Sequence, residues 1–169
     1  NTFATANVSN FSKQMEIPEL ILASTSSIYG DSGQDLMIEE KDEKIKPPSV
    51  YAITKLSGES LSKIILEDSN TKLIISRFFT VYGPYGRPDM ALFKFTKNIL
   101  DNKKIELFNK GNHSRDFTYI ADIVNGISSV IKKPKKTKIP FNIFNIGRGD
   151  TQKLKYYLSN IEKKLNKKA

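Results

Sequence analysis

Leu20-Ile21-Leu22-Ala23 runs directly into Ser24-Thr25-Ser26-Ser27, and this junction decides the fold. A short continuous apolar run that stops at polar residues reads as a strand buried on both faces of a parallel sheet. Leu73-Ile74-Ile75 is a second such run, leading into Arg77-Phe78-Phe79-Thr80-Val81-Tyr82-Gly83-Pro84. Phe141-Asn142-Ile143-Phe144-Asn145-Ile146 reads as a further strand, ending at a turn at Gly147. Helical patterns lie between them. Thr2 to Lys13 carries Phe3, Val8 and Phe11 among small residues, which suits a tightly packed helix, and a helix from about Val50 to Glu67 opens behind Ser49, a good N-cap. Further helices are predicted from Ala91 to about Leu100, Asp122 to Ile131 and Leu154 to Leu165. Ile105-Glu106-Leu107-Phe108 alternates like a half-exposed strand, and Arg115 to Tyr119 is another short segment. Gly30 to Pro48 reads as a surface loop, whereas Gly83 to Asp89, with two Gly and two Pro, is too rigid for a linker. Strands alternating with helices predict an α/β domain with a parallel sheet. Ligands of such sheets bind beyond the carboxyl ends of the strands. Ser24 to Ser27, Thr80 to Arg87 and the residues from Gly147 all follow strands, so they are candidates for one crevice.

Composition narrows the function classes. With 38% hydrophobic residues in 169, the chain can bury the core of one ordinary domain. No apolar stretch approaches the roughly 18 residues of a membrane span. There is no cysteine, which excludes disulfides and thiolate metal sites and predicts a reducing cytoplasm. Asn1-Thr2-Phe3-Ala4-Thr5 lacks both the basic start of a secretory signal and an initiator Met, so the chain is expected to begin partway into a longer one. The net charge of +9 raises the question of nucleic acid. The excess, however, is almost all Lys in clusters such as Lys132-Lys133, Lys135-Lys136, Lys163-Lys164 and Lys167-Lys168. These read as solvated surface and helix-end charge, and no aromatics interleave with Arg to stack on bases. No nucleic-acid partner is expected. Lone His113 is expected to be exposed and without a catalytic role, and Asp116 and Asp122 lack a metal-ligand spacing. Asp122 suits the start of the following helix, and Arg77, following a buried strand, reads as a structural ion pair.

Tyr51 and Lys55 stand one helical turn apart in Ser49-Val50-Tyr51-Ala52-Ile53-Thr54-Lys55. Positions i and i+4 share a helix face, so the Lys55 ammonium is predicted beside the Tyr51 phenol. A neighbouring cation favours the phenolate, and a phenol tuned that way serves as a general base. The spacing alone is also that of any amphipathic helix. With the hydroxyls of Ser24 to Ser27 upstream, it becomes a trio able to move a proton and a hydride together.

These stretches resemble the extended short-chain dehydrogenase/reductases that act on nucleotide sugars. The resemblance is carried by Ala23-Ser24-Thr25-Ser26-Ser27-Ile28-Tyr29-Gly30, by Tyr51-Ala52-Ile53-Thr54-Lys55 and by Arg77 to Pro84. Tyr85-Gly86-Arg87-Pro88-Asp89-Met90-Ala91-Leu92-Phe93-Lys94-Phe95, Arg115-Asp116-Phe117-Thr118-Tyr119-Ile120 and Asn145-Ile146-Gly147 narrow it to the UDP-glucuronate 4-epimerases. The resemblance implies a Rossmann-like parallel sheet, of which this chain is the C-terminal part, with a small α+β substrate-binding subdomain. The implied boundaries are 1–82 for the dinucleotide-binding part and 83–169 for the subdomain, with 116–146 partly returning to the sheet. It implies NAD as cofactor, a UDP-sugar as substrate and a homodimer formed through the helix ending near Lys13 and the Tyr51–Lys55 helix. Tyr51 takes the place of the catalytic acid/base, and Lys55 the place that holds the nicotinamide ribose. Thr25 takes the place that bonds the sugar O4, with Ser26 and Ser27 lining the sugar pocket. Asn1 and Phe79 fall at cofactor-contacting positions, although Ala4 stands where a Gly is usual. Thr80 takes the position that meets the uronate carboxylate, Arg87 and Arg115 the diphosphate positions, and Phe93 and Lys94 the approach to uridine. Taken alone, Ser24 to Ser27 also read as strand-end capping, Phe79 as core and Arg87 as an exposed turn.

Two absences shape the expectation. Related dehydratases carry Asp-Glu, and related decarboxylases a Glu, where this chain has Ser26-Ser27, which favours C4 inversion through a 4-keto sugar without elimination or decarboxylation. No Gly-x-x-Gly-x-x-Gly follows a strand, the fingerprint that cradles a dinucleotide pyrophosphate. By the resemblance, roughly a hundred residues carrying that loop are expected before Asn1, and the chain on its own is expected to be inactive. The alternatives are another epimerase, dehydratase or reductase of the same family, or a non-catalytic remnant that binds.

Overall fold

A computed structural model describes residues 1–30, 40, 45–132 and 141–169. The chain divides into two compact units, one of Asn1–Phe79 with Asn125–Ile146, the other of Thr80–Val124 with Gly147–Ala169.

The first unit is built on three parallel strands, β1 (Glu19–Thr25), β2 (Lys72–Phe78) and β6 (Phe141–Ile146), in the order β1-β2-β6. Leu22 lies beside Ile75 and Ile75 beside Ile143, while Thr25, Phe78 and Ile146 end the three strands level with one another. The apolar runs read from the sequence are these strands. Leu66, Leu73 and Ile75 form the buried centre, with Leu20, Leu22, Ile65, Phe141 and Ile143 packed on it. Each such side chain withdrawn from water contributes about 1.5–3 kcal/mol. Helices α1 (Thr2–Gln14) and α2 (Val50–Leu66) belong to this unit.

α1 packs tightly, and it does so through its small residues: Ser9 and Ser12 are buried, while Phe3 is 79% exposed and Val8 and Phe11 are also exposed. The reason is how closely α1 meets α2. A Cβ on Gly58 would lie 3.3 Å from Thr5 Cγ2, and the Ser9 and Ser62 hydroxyls bond at 2.9 Å. Such a seam admits only small side chains, so the large ones turn outward.

The second unit holds β3 (Thr80–Tyr82) parallel to β5 (Phe117–Tyr119), and β4 (Ser114–Arg115) antiparallel to β7 (Gln152–Lys153). Helices α3 (Ala91–Leu100) and α5 (Leu154–Leu165) pack around Phe95, Phe117 and Leu154. The Phe117 and Tyr157 rings stand 4.5 Å apart, a favourable tilted pair. Helix α4 (Ile120–Lys132) starts among this unit's residues, with Asp122 in its first turn as expected. Gly83 has φ +137°, and a Cβ there would come within 2.6 Å of Ile120 Cγ2, so no other residue fits without strain. The strand expected at Ile105 to Phe108 is absent. Ile105 and Leu107 send their side chains into the core, but the backbone joins no ladder before the 3₁₀ turn Phe108–Gly111, where Asn109 and Lys110 take positive φ.

Within the expected loop Gly30 to Pro48, residues 31–39 and 41–44 lie outside the described residues, as do Lys133, Lys135 and Lys136. Among the described residues no helix is long and apolar enough to cross a membrane.

Candidate active site

In the first unit the site is assembled where β1 ends. Ser49 Oγ accepts the Ala52 N–H at 3.2 Å and so fixes where α2 begins. Tyr51 is then in the first turn, half exposed, and Lys55 one turn further along the same face. The Lys55 ammonium donates to the Ala23 carbonyl at 2.8 Å, two residues before Thr25. Ser24, buried, donates to the Glu59 carboxylate, which lies one turn beyond Lys55. Thr25, also buried, accepts the Ser27 N–H and donates to Ser27 Oγ, both at 3.1 Å. That makes Thr25 the cap of the 3₁₀ turn Ser26–Tyr29, in which Ser26 is half-buried and Ser27 exposed. The structure thus brings Thr25, Ser26, Ser27 and Lys55 to the end of β1, with Tyr51 on the helix that Lys55 ties there.

Two expected cofactor residues belong to the same unit. Asn1 uses its side-chain amide on Thr54 Oγ1 at 3.1 Å, between Tyr51 and Lys55 in sequence. Phe79 is half-buried and extends the β2–β6 pairing by donating its N–H to Ile146 O at 3.2 Å.

Beneath these groups lies a buried ion pair. Arg77 donates to Glu59 through Nε at 3.1 Å and Nη2 at 2.7 Å, and through Nη1 to the Tyr29 hydroxyl at 2.8 Å. Burial opposes the charge on Arg77, but the bonds to Glu59 and Tyr29 outweigh it and hold its pKa above the usual value. Arg77 thus forms the buried ion pair expected of it, within β2 rather than after the strand. Glu59 was not singled out from the sequence, although its spacing of four from Lys55 and eight from Tyr51 was the signal for it.

The second unit carries a cavity of about 640 Å³ lined in part by Thr80, Tyr82, Arg87, Phe93, His113 and Arg115. It brings four of the expected substrate residues together. Lys94, next along α3, is exposed and is not part of that lining. Arg87 grips Asp89 with two bonds at 2.9 and 2.5 Å, and that guanidinium holds the exposed Asp89 carboxyl below its usual range. Arg115 donates to Ser114 O at 3.0 Å. His113 corrects the sequence reading, being half-buried and part of the cavity wall. It stands two residues before Arg115, and residues i and i+2 of extended chain share a side, which was the missed signal. Asp116 has a different task. Its carboxylate accepts from Thr118 Oγ1 at 2.7 Å, Arg148 N at 3.1 Å and Gly149 N at 2.8 Å, clamping the turn after Gly147. Among the described residues no cluster of His, Asp or Glu could hold a metal ion.

The level strand ends and the hydroxyls they carry define an α/β protein of the Rossmann-like class. The profile of the NAD dependent epimerase/dehydratase family matches residues 1–147, and the chain belongs to that family. An uncharacterized protein of Methanocaldococcus jannaschii is 47% identical over 169 residues, covering 100% of this chain and 50% of the relative. UDP-glucuronate 4-epimerase 5 of Arabidopsis thaliana is 37% identical, over 99% of this chain and 43% of its own length. Among solved structures, the UDP-glucuronic acid 4-epimerase of Bacillus cereus in complex with UDP-glucuronic acid and NAD superposes with a TM-score of 0.90. It shares 34% identity, over 99% of this chain and 52% of that one. The chain spans about half the length of the curated relatives it matches.

Proposed function

We propose that this chain carries the catalytic residues of an NAD-dependent nucleotide-sugar epimerase that inverts C4 of UDP-glucuronate through a 4-keto intermediate. The observation that carries the reading is the bond from Lys55 Nζ to Ala23 O at 2.8 Å. It ties the Tyr51–Lys55 turn to the strand end that bears Thr25, the arrangement a phenol-mediated proton transfer from a sugar hydroxyl requires.

The donor set suits the nicotinamide half of a dinucleotide. An ammonium at Lys55, an amide at Asn1 and a phenol at Tyr51 match ribose hydroxyls and a carboxamide, and Phe79 offers an apolar side chain. When bound, NAD supplies the reversible oxidation at C4. Tyr51 takes the O4 proton and returns it after the ring has turned, while Thr25 holds O4 by its hydroxyl. Ser26 and Ser27 line the sugar, and Thr80 meets its carboxylate. Neither Ser is a base able to take the C5 proton, which keeps the chemistry at C4. In the second unit Arg87 and Arg115 give the diphosphate permanently charged, planar donors, and Phe93 and Lys94 serve the uridine. The outward face of α1, with Phe3, Val8, Phe11 and Met15 exposed, suits a homodimer contact. Cytoplasmic location follows the sequence expectation.

The test is turnover by the complete protein, followed by the anomeric signals of UDP-glucuronate and its C4 epimer, with UDP-glucose as the competing substrate. Tyr51→Phe is expected to lower kcat by about 10²–10⁴-fold, the usual worth of a general acid/base. The 169-residue chain alone, lacking a Gly-rich pyrophosphate turn, is expected to bind NAD weakly and to turn over no sugar. Full activity in Tyr51→Phe, or a preference for UDP-glucose, defeats the assignment.

A further inference from the structure

Three successive residues of β1 are held by three different ties. Ala23 offers its carbonyl to Lys55, Ser24 gives its hydroxyl proton to Glu59, and Thr25 caps the turn that carries Ser26 and Ser27. The middle tie differs because it enters a buried, charged network. Glu59 is 1% and Arg77 2% exposed, and from Arg77 the bonds continue to the Tyr29 hydroxyl and on to Asn145 Oδ1, each at 2.8 Å. The network therefore joins α2, all three strands and the 26–29 turn.

An ion pair so placed is a weak source of stability, because desolvating two charges offsets most of their attraction. Apolar side chains of similar volume would pack there about as well. What charged hydrogen bonds add is direction, since they weaken steeply when bent or stretched. Glu59 shares the α2 face of Tyr51 and Lys55. Ser24 and Arg77 claim its carboxylate from two different strands, so α2 can neither slide along the sheet nor roll on it without breaking one of these bonds. Tyr29 fixes the far end of the Ser26–Ser27 turn in the same way.

We propose that Glu59 is the positioning residue of this site, setting with Ser24, Arg77 and Tyr29 how the Tyr51–Lys55 turn stands against the Thr25 end of β1. The catalytic consequence rests on the function proposed above, while the geometry does not depend on it.

The test uses the complete protein with Ser24→Ala, which cuts the tie from Glu59 to β1 and leaves the Glu59–Arg77 pair intact. Expected is a fall in kcat of about 10- to 100-fold, as for an ångström-scale misplacement, with KM and Tm close to wild type. Hydrogen–deuterium exchange should rise in peptides covering residues 50–56 and stay unchanged over 60–66. Ser24→Thr, which restores the hydroxyl, should recover most of kcat and the exchange protection. Unchanged kcat and unchanged exchange in Ser24→Ala overturn the proposal. So does a uniform rise across both peptides with a lowered Tm, which would make the contact one of general stability. If the wild-type protein inverts no nucleotide sugar, the functional reading fails instead, and the exchange comparison alone decides the positioning role.

Discussion

Replacing Arg77 with Met tests the energetics of the buried pair directly. Met keeps an aliphatic stem of similar length, so little cavity opens, but three donor contacts vanish: two to Glu59 and one to Tyr29. Glu59 is left buried with Ser24 as its remaining donor among the bonds described. Removing one member of a buried ion pair costs about 3–5 kcal/mol, because the surviving charge has lost its compensation. That is a large share of the roughly 5–15 kcal/mol that holds a typical domain folded. With a urea dependence of about 2 kcal/mol per molar, the midpoint should drop by about 2 M. The double variant Glu59→Met with Arg77→Met removes both charges. It should recover most of the loss, short of wild type by about 1–2 kcal/mol for the orphaned Ser24 hydroxyl, since Tyr29 keeps its bond to Asn145 Oδ1. Urea unfolding of the complete protein, followed by far-ultraviolet circular dichroism, measures all four corners of the cycle. A single-variant cost below about 1 kcal/mol, or a double variant as unstable as the sum of the singles, refutes the reasoning. By the positioning argument, the recovered double variant should still be slow.

Tyr157 packs its ring on Phe117 while its hydroxyl is buried without a hydrogen-bond partner among the described residues. Tyr157→Phe should therefore be neutral or stabilising by up to about 1 kcal/mol at neutral pH. Burial raises the Tyr157 pKa, so the fold favours the protonated phenol. Its contribution is complete below the ordinary phenol range of about 10 and is lost as pH rises through the higher folded value. Tm measured against pH should fall more steeply on the alkaline side in wild type than in Tyr157→Phe, and parallel curves would contradict this. Gly83→Ala should cost about 2 kcal/mol, combining a disfavoured positive φ with the clash against Ile120. Pairing it with Ile120→Ala should relieve the steric part and leave the backbone part, a split that denaturation midpoints would show.

The strands around Ile21 and Ile74 were legible because each is an unbroken apolar run and the one around Ile143 because it stops at a glycine turn, although only β2 is buried along its length. The caps were legible for the same local reason, Ser49 being next to the residues it serves. What failed was whatever depended on a partner distant in sequence. Ile105 and Leu107 alternate as a strand does, yet no neighbouring strand reaches them. Which residues of α1 make its packed face was not legible, because nothing local shows that Gly58 and Ser62 demand small residues opposite. The two-residue ladder of β4 with β7 is too short for any periodicity. His113 was dismissed from its polar neighbours, and the cavity wall it joins is assembled by α3 and the Gly83–Asp89 loop. Of the candidate site, the sequence showed the residues that carry charge or hydroxyls at strand ends. Glu59 stayed hidden because an acid on a helix ordinarily faces water.

The partner of Lys55 at the strand end is a main-chain oxygen, and this makes the anchor indifferent to the side chain at position 23. Every amino acid supplies the same carbonyl there, so residue 23 is free to drift among strand-compatible types as far as this anchor is concerned. Position 55 has no such freedom, because only a long primary amine reaches that oxygen in this way. Saturation mutagenesis should accordingly find a tolerant site and an intolerant one joined by a single bond.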